Sequence, residues 1–214
     1  MTTEYTLDDL SIEQLDATTA REFIIEHHYS GSCHNGPMAW GCFNGDTLVG
    51  VIAFATPISE NVRRFIWHEE YEDEMKDHTT ELHRLVTLDE TPHNTESWFI
   101  SRGLDALKEY KPKYKAVLSH ADSEEGHDGT IYKASNAMYT GTTGSERLYY
   151  KKPDGSLCTP RVSGENITID EAEERGWEKV YRGVKHRYIF VLPDPYEHKD
   201  DIRAKMSIEE MDYI

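Results

Sequence analysis

The densest run of reactive side chains is Ser119-His120-Ala121-Asp122, followed by Gly126-His127-Asp128-Gly129-Thr130-Ile131-Tyr132-Lys133-Ala134-Ser135-Asn136. An imidazole, a carboxylate and a phenol can each relay a proton, and each can ligate a metal. The apolar run Ala116–Leu118 delivers this group to the end of a strand, and a glycine-flanked turn leads onward. In an open α/β sheet, sites form at the carboxyl ends of strands. A short helix over Asp128–Tyr139 would carry Tyr132, Asn136 and Tyr139 on one face.

Other residues join this group as candidates. His28 and Tyr29 end the first helical stretch, where a cationic imidazole also suits the helix dipole. Tyr29 alone reads as a half-buried aromatic with its hydroxyl satisfied. Asp122 could cap the turn after its strand. Asp128 is better placed as the helix N-cap, which leaves Asp122 free to serve as general base or metal ligand. Tyr132 could be core, although polar Lys133 and Ser135 beside it suggest a partly wet face. Arg84 lies in an otherwise apolar strand and needs a partner, because unpaired buried charge is costly. An ion pair with Glu81 or Glu96 and an anion clamp are both open. Cys33, His34 and Cys42 match no zinc spacing. The chain has no Gly-x-Ser-x-Gly elbow, Walker loop or Cys-x-x-Cys.

Several elements must position these groups. Asp16–His28 repeats Ala20, Phe23, Ile24 and His27 at helical spacing. Met38–Phe43 and Thr47–Ala55 form a hairpin around Asn44-Gly45-Asp46. Glu60–Thr79 is ambiguous between helix and loop. Glu81–Leu88 alternates, with Leu82, Arg84 and Val86 on one side and His83, Leu85 and Thr87 on the other. Thr95–Tyr110 is helical, burying Ile100, Gly103, Leu104 and Leu107. Tyr114–His120 is the next strand. Arg147–Lys152 and Ser156–Val162 pair around Pro153-Asp154-Gly155, Ile169–Gly176 is helical, and Val184–Leu192 is a last strand. The order implies an α/β fold: a mixed β-sheet with a central parallel strand pair, Glu81–Leu88 beside Tyr114–His120, flanked by helices. One domain over 1–192 is expected, followed by an acidic, loosely docked tail over 193–214.

Bulk properties narrow the classes. Apolar residues make up 37% and no run approaches a bilayer span, so no membrane association is expected. Met1-Thr2-Thr3-Glu4 shows no secretory leader, and three irregularly spaced cysteines suit a reducing cytoplasm. Asp and Glu number 40 against 23 Lys and Arg, a net charge of −17. Either the chain avoids nucleic acid, or its cations cluster locally, as in Lys108–Lys115 and Arg147–Lys152, or the acidity suits a high-salt habitat.

The order of elements resembles the GNAT acyltransferases. In that fold the acyl-coenzyme A pyrophosphate sits on the helix start after the central strand. This chain has Thr91-Pro92-His93-Asn94-Thr95-Glu96-Ser97-Trp98 there, without the glycine-rich signature. A carboxylate at Glu96 repels a pyrophosphate, so ordinary coenzyme A binding is not expected, and acetyl-CoA or a related acyl donor stays open. His28-Tyr29-Ser30-Gly31, Leu82-His83-Arg84-Leu85-Val86, Ser97, Ser119-His120-Ala121-Asp122 and Gly126-His127-x-Gly129-Thr130-x-Tyr132-x-Ala134-x-Asn136 together resemble the Mom family of phage DNA-modification proteins. The resemblance implies a GNAT-like enzyme that converts adenine in double-stranded DNA to an N6-carbamoylmethyl form, hiding it from restriction in the host cytoplasm. It implies His28, Tyr29, Asp122 and Tyr132 as catalytic residues converging on one pocket and holding iron, with Arg84 and Ser97 on the donor. The oligomeric state is open, a dimer included. An acyl-CoA-dependent N-acyltransferase and a non-catalytic DNA- or partner-binding protein are the alternative functions.

Overall fold

A computed structural model describes residues 5–57, 59–144, 146–162 and 165–212. In chain order the elements are β1 (Leu10–Leu15), α1 (Ala17–His27), β2 (Met38–Asn44), β3 (Thr47–Ala55), α2 (Glu60–Arg64), α3 (Glu72–Met75), β4 (Thr79–Thr87), α4 (Thr95–Tyr110) and β5 (Ala116–Asp122). They continue with α5 (Thr130–Ala134), β6 (Met138–Thr142), β7 (Arg147–Lys151), β8 (Leu157–Cys158), β9 (Arg161–Val162), β10 (Glu165–Asn166), α6 (Ile169–Glu174), β11 (Glu178–Arg182), β12 (Lys185–Val191) and α7 (Lys199–Arg203). Two compact units result. The larger holds residues 1–120, 129–141 and 187–214; the smaller holds 121–128 and 142–186.

The larger unit is organised by a seven-stranded sheet in the order β1-β2-β3-β4-β5-β12-β6. β1 to β4 pair antiparallel, whereas β4 and β5 pair parallel from Thr79↔Ala116 to Glu81↔Leu118. This is the mixed sheet with a central parallel pair that the element order implies. The hairpin turns at Asn44-Gly45, with Gly45 at φ 58, where glycine has no steric penalty. α1 starts because the Asp16 carboxylate accepts from the Thr18 and Thr19 N–H groups. Its Ala20 and Ile24 pack with Ala39, Val51 and Ala53. α4 lies close over β3: a Cβ at Gly103 would come within 2.8 Å of Ile52.

Three expectations change. The helix after β5 covers only Thr130–Ala134, because Asn136 turns to φ 62 and Met138 starts a strand, so Tyr132, Asn136 and Tyr139 share no helix face. A bulge in β4 opposes Phe54 to Leu82 and Ala53 to Arg84. Leu82 and Arg84 therefore face opposite sides, since neighbours on β3 alternate. The segment after residue 193 is not loosely docked. Ile202 and Met206 are buried with Ile66, Trp67, Leu118 and Ile189, and the Met211 N–H donates to the Tyr139 carbonyl at 2.8 Å.

The smaller unit has its own core. β7 sits between β11 and β8, and Tyr150, Ile167 and Ala172 are buried together against Trp177 and Leu148. α6 begins in a capping box between Thr168 and Glu171.

Candidate functional site

In the larger unit, β4 and β5 hydrogen-bond over three residue pairs only. Beyond that point their side chains supply polar groups. Glu81 Oε1 lies 3.3 Å from His120 Nδ1. His83 Nε2 accepts from the His34 N–H at 3.2 Å. Burial, reinforced by the Arg84 guanidinium, pushes the His83 imidazole down to about 4, so it is neutral at physiological pH. Of these, His120 belongs to the run of reactive side chains in the sequence; Glu81 and His83 carry only the weaker signal of polar residues along β4, and His34 carries none.

α5 delivers Tyr132 into the interior. Its ring packs 5.2 Å from Tyr188 and 6.1 Å from Phe190, centroid to centroid. The expected wet face is therefore dry, and burial raises the phenol pKa above its ordinary value. The neighbouring Ser119 hydroxyl, which favours the phenolate, opposes that effect only in part. Ser119 is itself fully buried, and its hydroxyl approaches the Tyr132 phenol loosely, outside close hydrogen-bonding geometry. Gly129 opens α5 at φ 76, and a Cβ there would collide with the Tyr188 ring.

Arg84 is neither ion-paired with Glu81 nor with Glu96. Its guanidinium donates to the Ser32 carbonyl at 2.9 Å, the Ser32 hydroxyl at 3.2 Å and its own strand's His83 carbonyl at 2.6 Å. It thus ties the loop after α1 to β4. In that loop the Ser30 N–H donates to His28 Nδ1 at 3.1 Å, which places the imidazole proton on Nε2. The Tyr29 ring stacks on His28 at 4.3 Å and is 54% exposed. Ser97 Oγ donates to the Asn94 carbonyl at 3.1 Å. It lines a cavity of about 450 Å³ with Thr91, Asn94, Glu96, Thr130 and Ile131. Asn94, the residue before α4, sits at φ 70 with no side-chain cap on the helix.

In the smaller unit, Asp122 is 4% exposed and does not stand free. Its carboxylate accepts from the Glu124 N–H, pairs with Lys185 Nζ at 2.9 Å and lies 3.4 Å from Arg182. It caps the short turn Ser123–Glu125, while Gly129, not Asp128, precedes α5. Burial opposes ionisation, but the two cations outweigh it and hold the carboxyl below its usual range.

Asp122, one of the residues that the resemblance assigns to iron, is already claimed by two cations, so the set as it stands is a poor fit for the metal. Among the described residues there is no group of three or more His, Cys, Asp or Glu side chains that could hold a metal ion. What the arrangement can do is acid–base work: a protonated phenol in a dry setting, a neutral imidazole at His83, and a carboxylate–imidazole pair at Glu81 and His120.

A family model described as the Mom protein family matches residues 9–210. The methylcarbamoylase mom of Escherichia phage Mu is 29% identical over 192 residues, covering 86% of this chain and 74% of that protein. Among solved structures, an N-acetyltransferase from Staphylococcus aureus Mu50 is 9% identical, with a TM-score of 0.47 over 85% of this chain and 97% of that one. A GNAT acetyltransferase from Streptococcus pneumoniae is 8% identical, with a TM-score of 0.48 over 86% and 99% of the two chains. An acetyltransferase from Salmonella typhimurium, solved with acetyl-CoA, is 8% identical, with a TM-score of 0.49 over 90% and 98%. At these scores the structural likenesses carry no argument about chemistry.

Proposed function

The chain belongs to the Mom protein family, and on that premise we propose that it is a transferase that converts adenine in DNA to an N6-carbamoylmethyl form. The observation that carries the reading is the family match over residues 9–210, supported by a phage Mu relative that is named a methylcarbamoylase. The product would be DNA that restriction enzymes fail to recognise, made in the cytoplasm of an infected host. Among the described residues no helix is long and apolar enough to cross a membrane, which is compatible with that setting.

Forming the new C–N bond takes the N6 lone pair of adenine, releases an N6 proton, and expels a leaving group from the carbon donor. By family resemblance His28, Tyr29, Asp122 and Tyr132 serve the reacting groups, while Arg84 and Ser97 serve the donor. Their states divide the work. Tyr132 is a phenol kept protonated, so it donates to the leaving group or to the base ring. His28 presents a protonated Nε2 and acts as a donor. The outgoing proton requires an acceptor: the neutral His83 is one candidate, and the Glu81–His120 pair, 3.3 Å apart, is another. The buried Ser119 hydroxyl stands beside the Tyr132 phenol and would help to orient its proton.

A second reading, an acyl-CoA-dependent N-acyltransferase, draws on the cavity at the start of α4. Glu96 on its wall opposes a pyrophosphate. The deciding experiment expresses the chain in a bacterial host and digests the DNA to nucleosides for mass analysis. N6-carbamoylmethyl-deoxyadenosine is the expected result. Unmodified adenine, together with micromolar acetyl-CoA binding by calorimetry that is lost in Arg84→Ala, would replace this reading with the second.

A further inference from the structure

The charge of this protein poses a problem for any DNA-directed activity. Net −17 repels a polyanion, so productive binding needs a local surface where cations are not neutralised. Two basic runs stand out, and in the first of them part of the charge is neutralised. Near Lys108–Lys115, Asp194 Oδ1 lies 2.7 Å from Lys108 Nζ, while Asp194 Oδ2 and Glu197 Oε2 each lie 2.6 Å from Lys115 Nζ. Those two ammonium groups are spent.

In the smaller unit the balance is local: residues 142–186 hold eight Lys and Arg against eight Asp and Glu, while residues 121–128 add four acids, in a chain that holds 23 against 40. Arg175, Trp177, Lys179 and Tyr181 follow at every second position into β11, which is an edge strand. The Arg175 guanidinium lies 5.3 Å from the centre of the Trp177 ring, and Lys152 Nζ, from the turn after β7, lies 5.5 Å from the same ring. Lys179 Nζ lies 5.1 Å from the Tyr181 ring. Arg175 and Lys179 are exposed, and Tyr181 is 53% exposed. None of the three cations has a carboxylate within 4.0 Å among the described residues. Glu173, Glu174 and Glu178 are their sequence neighbours, and Asp154 and Glu171 interact electrostatically with Lys152 and Arg175, which moderates the patch without cancelling it.

Cations without a close carboxylate, beside an exposed ring, suit a nucleic-acid strand. Ammonium and guanidinium groups meet phosphates, and the exposed Tyr181 ring meets a sugar or an unstacked base, while Trp177, packed on the unit's core, seats Arg175 and Lys152. We infer that Lys152, Arg175, Trp177, Lys179 and Tyr181 form a docking strip for the DNA backbone. The inference rests on the DNA-modification reading.

The test measures binding of a fluorescent adenine-containing duplex by anisotropy across a salt series, with intact-chain variants. Each lost phosphate contact lowers the salt slope by about 0.9. The triple variant Lys152→Gln/Arg175→Gln/Lys179→Gln should lower the slope by about 2–3 and weaken binding about tenfold or more at 0.1 M salt. Tyr181→Ala should weaken binding roughly fivefold or more with the slope unchanged. Lys152→Arg/Lys179→Arg should keep wild-type affinity, and circular dichroism of every variant should match wild type. A control triple, Lys111→Gln/Lys113→Gln/Lys205→Gln, removes the same charge and likewise strips cations from tyrosine rings elsewhere. It should bind as wild type does. Equal losses in both triples would overturn the strip, because net charge alone would then account for them. Wild-type slope and affinity in the strip variant, while wild-type protein still modifies DNA, would overturn the strip and leave the modification reading standing. Wild-type protein that neither binds nor modifies DNA would overturn both.

Discussion

Replacing Asp122 with Ala tests whether that carboxylate is structural, catalytic or both. In the fold it is 4% exposed, 2.9 Å from Lys185 Nζ and 3.4 Å from Arg182, and it accepts from the Glu124 N–H. Removing one member of a fully buried pair costs about 3–5 kcal/mol. The cost is smaller here. Lys185 is 41% exposed and can turn into water, and Arg182 keeps Glu125 at 2.7 Å and Glu124 at 3.3 Å. The expected loss is about 1–3 kcal/mol, part of it the cap on the turn. For a chain of this size each kcal/mol is worth about 2–4 °C, so Tm should fall by roughly 3–10 °C. The pH dependence has a definite sign. The folded carboxyl titrates below its ordinary value, so its stabilisation is present above about pH 4 and disappears as pH falls through the folded value. Wild type and variant should therefore differ in urea midpoint at pH 7 and converge as pH falls below the ordinary carboxylate range. If the midpoints agree at pH 7 while DNA modification is abolished, the ion-pair account of Asp122 is refuted, and the carboxylate acts on the reactants.

Tyr132→Phe removes a buried hydroxyl whose approach to Ser119 is loose, so stability should change by less than about 1 kcal/mol while modification falls at least tenfold; full activity would remove Tyr132 from the chemistry. His83 titrates near 4 when folded and near 6.5 when unfolded, so its neutral form stabilises above pH 6.5 and that stability drains away towards pH 4. His83→Gln should flatten the urea midpoint against pH in that window, and an unchanged profile would show that the imidazole is not shielded. Gly129→Ala forces a side chain into both a positive φ and the Tyr188 ring, so it should cost more than about 2 kcal/mol by thermal melting.

Legibility from the sequence followed the range of the interaction responsible. The cap at Asp16, the Asn44-Gly45 turn and the whole of α4 are local effects, and each lies where spacing and residue type put it. The bulge opposite Ala53 and Phe54 left no mark in the alternation of β4, and it moved Arg84 to the face away from Leu82. Asn136 ended a helix that the apolar spacing would have prolonged to Tyr139. For the site, the residue types were legible and their states were not. Whether Asp122 was free depended on Lys185, and whether Tyr132 was wet depended on Tyr188 and Phe190, partners 63, 56 and 58 positions away. The pairing of Ile202 with Met206 was visible as helical spacing, but nothing local pointed to Trp67 as its destination.

That destination has a consequence in time. Ile66 and Trp67 complete their packing only when Ile202 and Met206 arrive, some 140 residues later in the chain. At ordinary ribosome speeds of about 5–20 residues per second, that wait is roughly 7–28 s. The cluster around Tyr150, drawn from Leu148 to Trp177, closes within about 30 residues and need not wait. During the interval a nascent chain carries an open apolar wall built from Ile66, Trp67, Met75, Ala116 and Leu118, a surface that chaperones hold and proteases find. A premature stop before Ile202 would make that interval permanent. Such a fragment should accumulate as aggregate or degradation product instead of as a smaller working enzyme.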